Sequence, residues 1–153
     1  MSLAFVAACL IGNFLEEIES ERFPMFRTLS KLISIAGLGD LLANAERITV
    51  LCPTNKAFER AGIKVVREHV TLNGAELDTD TLKKVLMRHV IRFEQHSLDH
   101  AGAVQTLSQE TLMFDTDEDG RTTVSHGQTS ACVLMQGFLS SNARFAAIGR
   151  VLL

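Results

Sequence analysis

Thr49-Val50-Leu51-Cys52-Pro53-Thr54-Asn55-Lys56-Ala57-Phe58 puts a strand, its stop and the start of a helix side by side. Ile48 through Cys52 is a β-branched, apolar run that reads as a buried strand. Pro53 ends the ladder because it has no N–H to donate. Thr54 then offers a hydroxyl to cap a short helix through Phe58 and Arg60. Thr54 or Asn55 satisfies the free N–H groups of its first turn. Phe58 packs back as an anchor.

Upstream, Leu3, Val6, Leu10, Phe14 and Ile18 recur at helical spacing, so residues 1–25 read as an N-terminal helical extension. Glu16, Glu17 and Ser20 are its solvated positions. Pro24 breaks this pattern and suits the first turn of a second helix. Phe26, Leu29, Ile33 and Ala36 form the apolar stripe of that helix, while Arg27, Ser30, Lys31 and Ser34 face elsewhere. Gly37 is placed to cap its C-terminus, and a helical turn follows at Asp40–Asn44.

Downstream, Val65–Val70 fits either a helix or a strand, and Asn73-Gly74 marks a turn. A firmer helix spans Thr79 to Val90, with Leu82, Val85, Leu86 and His89 on one face and an Asp80–Lys84 pair on another. Beyond Ile91 the character changes. Thr111–Asp115 and Thr122–Ser125 read as strands joined through Asp119-Gly120. Ala131–Met135 reads as a further buried strand, and Phe145–Leu153 closes the chain with Ile148, Val151 and Leu152. Helices first and strands last predict an α+β fold around one core.

The 153 residues fit a single domain over 1–153. A net charge of −3 and the absence of a basic stripe argue against nucleic acid as partner. Cys9, Cys52 and Cys132 form no CxxC pair and no framework. Each lies in an apolar run and reads as a small buried hydrophobe; one pair could oxidise outside the cytosol, and which pair stays open. Leu3–Ile11 is too short to span a bilayer, which needs about 20 residues. It carries no positive flank or cleavage site, so no leader is visible and no membrane insertion is expected.

Chemistry-bearing patterns are sparse. Asp115, Asp117, Asp119 and Gly120 resemble the opening of a calcium loop, yet position twelve is His126 and the flanks read as strands. An acidic hairpin explains the segment without a metal. His96 and His100 have the spacing of two ligands on one helical face, but Ser97 stands where a metalloprotease has Glu, and no convincing third ligand lies nearby, though Asp99 is adjacent. His89, on an apolar face, reads as a core residue donating to a backbone carbonyl. Cys52 and His89 could form a nucleophile and base only if the thiol were exposed in an electropositive setting. No phosphate loop or GxSxG is present. The expectation is a protein without catalytic residues or cofactor. The alternative is a small-molecule- or metal-dependent activity using His96, His100 and Asp115, Asp117 and Asp119 of the acidic hairpin.

The stretch Thr49–Phe58 resembles the first signature of fasciclin-like domains, roughly Thr-Val-Phe-Ala-Pro-Thr-Asn-x-Ala-Phe. Leu82–Val90 is similar to that family's helix ending in Tyr-His, and Ser140-Ser141-Asn142 through Leu153 to its closing strand. The strand-rich stretch Thr106–Leu134 matches in order. The likeness covers residues 26–153 and implies a wedge of β-strands with N-terminal and central helices packed around it. Pro53, Thr54, Asn55, Phe58, His89 and Asn142 are the positions that carry the fold signature.

Two departures stand out. Arg88 replaces the family's Tyr, in a region linked in animal members to integrin contact. The closing Asn-Gly-x-x-His-x-Ile-Asp becomes Asn142-Ala143-Arg144-Phe145-Ala146-Ala147-Ile148-Gly149, which implies a remodelled hydrogen-bond network. The resemblance further implies an adhesion or interaction module, binding a protein or polysaccharide of the cell surface, envelope or matrix. Its expected place is extracellular, cell-surface or periplasmic. The Asp115–Asp119 turn and the segment from Arg88 to His100 are the candidate contact surfaces.

Overall fold

The computed structural model describes residues 24–44, 48–92, 102–140 and 143–153. The expected N-terminal helix, Cys9, His96, His100 and Asn142 lie outside them.

A 3-10 turn at Pro24–Phe26 leads into α1 (Arg27–Ala36). Gly37, at φ 73°, ends it in the left-handed conformation. The amides of Gly37 and Leu38 then bond back to Ser34 and Ile33 carbonyls. Ser30, expected to face away, is buried together with Leu32. The helix is packed on several sides, by the short helix after β1, the helix over Thr79–Arg88 and the strand Ile63–Val66, so its covered arc is wider than one stripe. The turn at 40–44 is a helix, α2 (Gly39–Asn44).

β1 (Ile48–Pro53) is buried at every residue. It lies between a parallel neighbour, β10 (Ala143–Ile148), and an antiparallel one, β5 (Val90–Arg92). A strand covered on both faces reads as a continuous apolar run. Pro53 sits opposite Ile148 as the last pair, and the Thr54 amide passes the next bond to the Ile148 carbonyl. Thr54 caps α3 (Asn55–Arg60), its hydroxyl accepting from the Ala57 amide at 3.2 Å. Asn55 does something else. Its Nδ2 donates to the Pro24 carbonyl at 2.9 Å, and its Oδ1 accepts from the Thr28 amide at 3.0 Å. It thereby caps α1, which has no side-chain cap of its own at Phe26.

The ambiguous Val65–Val70 stretch is a hairpin. β2 (Ile63–Val66), β3 (His69–Leu72) and β4 (Ala75–Glu76) form a separate three-stranded meander. Asn73 and Gly74, both at positive φ, make its second turn. α4 spans Thr79–Arg88, with Asp78 as N-cap accepting from the Thr81 amide at 2.7 Å. It stops two residues before the expected end because Val90 is drawn into β5.

The large sheet runs β5-β1-β10-β9-β8-β7-β6, with β6 (Gly102–Gln105), β7 (Thr111–Thr116), β8 (Thr122–His126) and β9 (Thr129–Ser140). Its two ends nearly meet. Ile91 bridges Thr106, and the Leu107 amide donates to the Val90 carbonyl at 2.9 Å. The result is an α+β wedge with two cores. One lies between helices and sheet, holding Phe26, Leu32, Val50, Phe58 and Phe145. The other fills the wedge, with Leu51, Ile91, Leu112, Phe114, Ile148 and Leu152.

The stretch Ala131–Met135 is only half buried, contrary to expectation. Ala131 points inward, but Cys132 is exposed, as are Leu134 and Met135. Alternation along β9 turns Cys132 out beside Thr123. A register shift then pairs Val133 with Ile148 but Met135 with Ala147, leaving Leu134 as the extra, outward residue. Cys132 is therefore no buried hydrophobe, whereas Cys52 is.

Candidate functional site

α4 ends by presenting Arg88 and His89 to two different parts of the molecule. His89 is buried. Its Nε2 accepts from the Leu152 amide at 3.0 Å, so Nδ1 carries the proton and donates to the Val85 carbonyl at 2.7 Å. The reading of His89 as a core residue serving a backbone carbonyl is matched by this geometry. Burial pulls its pKa down to about 4. The Val85 carbonyl opposes that shift, the charges of Arg88 and His126 add to it, and Glu110 opposes it.

Arg88 lies across the same junction. Its Nε donates to Glu110 Oε2 at 2.8 Å, and Nη1 donates to the Leu152 carbonyl at 2.9 Å. Leu152 is thus held at both its amide and its carbonyl, in the two peptide units that flank its Cα, by the last residue of α4 and its C-cap. Arg88 and Glu110 side chains are 12% and 21% exposed, so Arg88, at the start of the candidate contact segment Arg88–His100, offers little of its own side chain to a partner. Its guanidinium is spent inside the molecule.

Glu110 gathers the remaining polar groups. Oε2 also meets His126 Nε2 at 2.7 Å, and Oε1 accepts from the Ser108 hydroxyl at 3.0 Å. Thr106 Oγ1 accepts from the Glu110 amide at 3.2 Å and lies 2.7 Å from Ser108 Oγ. The proton order follows: Thr106 donates to Ser108, which donates to Glu110. Burial alone would raise the Glu110 pKa, but hydrogen bonds from Arg88, Ser108 and His126 and the charge of Arg88 together hold it below its ordinary value. His126 Nδ1 is buried and has no hydrogen-bond partner among the described residues.

This set is built to hold segments together. Both ring nitrogens of His89 are taken by backbone groups. The Cys52 thiol is wholly buried, donates to the Val50 carbonyl at 3.5 Å, and is pushed by burial above its ordinary pKa, which removes the thiolate a nucleophile needs. Asp117 Oδ1 accepts from the Asp119 and Arg121 amides at 3.0 and 2.8 Å, so that carboxylate closes the β7–β8 turn. Among the described residues no group of three or more His, Cys, Asp or Glu could hold a metal ion.

The signature positions are not gathered in one place. Pro53, Thr54, Asn55 and Phe58 surround the exit of β1 and the entry of α1. His89 lies further back along β1, where its carbonyl accepts from the Leu51 amide at 2.7 Å. Glu110, His126, Ser108 and Thr106 carried no signal in the sequence beyond an Arg at a helix end that needed an anion.

Residues 24–153 match the fasciclin domain family model. The chain belongs to the fasciclin family. This fasciclin domain is 32% identical over 115 residues to transforming growth factor-beta-induced protein ig-h3 of Sus scrofa, an overlap of 75% of this chain and 15% of that protein. Its fold is similar to a solved FAS1 domain pair from the insect cell adhesion molecule fasciclin I, with a TM-score of 0.66 at 20% identity. That match covers 84% of this chain and 45% of the solved one. The fasciclin domain described here therefore spans a minor part of each. Among its described residues no helix is long and apolar enough to cross a membrane.

Proposed function

We propose that this fasciclin domain is a non-catalytic interaction module that binds a protein or polysaccharide of the cell surface, envelope or matrix. Its setting is extracellular, cell-surface or periplasmic. The observation that carries this reading is family membership over residues 24–153, together with the likeness in fold to a domain pair of fasciclin I, an insect cell adhesion molecule. The polar cluster around Glu110 supports it, since the Glu110 carboxylate, the Arg88 Nε and Nη1 and both ring nitrogens of His89 are committed to the protein's own backbone and side chains. Such chemistry stiffens a scaffold and leaves recognition to the outer surface. Residues 26–153 form the family-like core in this proposal, and 1–25 an extension to it.

The test is affinity capture with the purified protein from envelope and cytosolic fractions of its own source, quantified by mass spectrometry. A saturable envelope partner, competed by free protein, is the expected result. Enrichment only from cytosol overturns the setting. Metal analysis of tag-free protein addresses the alternative: stoichiometric metal lost in a His96→Ala/His100→Ala variant would replace this reading with a metal-dependent one.

A further inference from the structure

Among the described residues the near-closed sheet has one weak seam. Every other neighbouring pair shares at least three residue pairs, whereas the described residues of β5 meet the end of β6 through the Ile91–Thr106 bridge and the Leu107-to-Val90 bond. Behind that seam lies the inner core of Ile91, Leu112 and Leu152. What spans it is polar: Arg88, at the end of α4, reaches Glu110 in the loop between β6 and β7. The same Arg88 and its neighbour His89 hold the Leu152 carbonyl and the Leu152 amide. The closing segment, seam and polar cluster therefore share one fastening.

We propose that the segment Gly149–Leu153 is an acid-sensitive latch on this seam, released when His89 takes up a proton at Nε2. The neutral ring accepts from the Leu152 amide; the protonated ring sets donor against donor at 3.0 Å. The new cation also faces Arg88 on its own helix and His126 from β8, with the Glu110 carboxylate as the one described anion beside it. Glu110 is already shared between Arg88, His126 and Ser108. Water admitted along the freed segment relieves the charge, and β5 parts from β6 while β7, β8, β9 and β10 remain paired. The inference is independent of the proposed partner class, because it concerns a device within the fold.

Amide hydrogen exchange on the intact protein between pH 7.5 and pH 4.5, with rates corrected for intrinsic exchange, tests it. With the ring titrating near 6.5 when released and near 4 when latched, linkage predicts roughly a seventyfold loss of protection at the Leu152 and Leu107 amides. Amides pairing β9 with β10 should keep their protection. A His89→Gln variant, neutral throughout, should lose the acid response at Leu152. Loss of protection spreading equally to β9–β10, or an unchanged response in H89Q, overturns the proposal. If H89Q fails to fold, the His89 ring shift and Leu152 protection are followed together in the unaltered protein by NMR. A common midpoint upholds the latch, and separate midpoints overturn it.

Discussion

At the scale of single residues, His89 satisfies two buried backbone groups in one side chain, an amide at Leu152 and a carbonyl at Val85. His89→Ala leaves both without a partner and opens a cavity beside them. The expected loss is about 2–4 kcal/mol, read as a lower urea midpoint at unchanged slope. Gly62 is constrained differently. It stands at φ 78°, and a Cβ there would fall 2.0 Å from Asn73 Oδ1, while its carbonyl accepts from the Asn73 amide at 2.8 Å. Gly62→Ala should cost about 1–2 kcal/mol from the left-handed backbone alone and more because the Asn73 side chain must shift out of the way, and the same urea melt measures it. The role of His89 was legible because a lone His on an apolar face needs a backbone partner. The roles of Arg88, Glu110 and His126 were not, since three elements bring them together and no local spacing records that. Cys132 was misread because strand alternation, and not the apolar character of the run, decides which way it points.

At the scale of elements, the decisive stretch Thr49–Phe58 behaves as its composition demands: strand, proline stop, hydroxyl cap, aromatic anchor. Asn55 adds what its position in sequence conceals, a tie to the start of α1. Thr54→Ala should cost about 1 kcal/mol as a lost N-cap. Asn55→Ala should cost more than Thr54→Ala and, unlike it, should speed hydrogen exchange at the Thr28 amide. Equal exchange in the two variants would show that the tie contributes nothing. Gly137 prepares a second junction. The Phe145 ring lies so close that a Cβ would sit 3.0 Å from it, and that ring meets Phe26 edge-on at 5.9 Å. The longer periodic helices were readable because a run of several turns fixes its own period. Val65–Val70 was not, because so short an apolar run fits both periods and only pairing across the hairpin decides between them.

At the scale of the whole molecule, acid should destabilise the protein in a defined window. In the unfolded chain His89 binds its proton near pH 6.5, and in the folded protein near pH 4. Between those values the unfolded state holds more protons, so the stability this residue contributes is complete above about pH 6.5 and is lost as pH falls toward 4. The full loss is about 3 kcal/mol. Glu110, held below its ordinary value, contributes in the same direction at lower pH. Urea melts at pH 7.5, 5.5 and 4.5 should show the decline, and H89Q should flatten its upper part.

The placement of β1 sets a timetable for synthesis. Its antiparallel partner, β5, leaves the ribosome early, but its parallel partner begins at Ala143, and the inner core is sealed by Leu152. Contacts so distant along the chain make for slow folding. Until the closing strand emerges, the nascent chain carries the Ile48–Pro53 edge open and apolar, the kind of edge that recruits another chain. Expression yield should therefore respond more to whatever shields that edge during translation than to the stability of the finished fold.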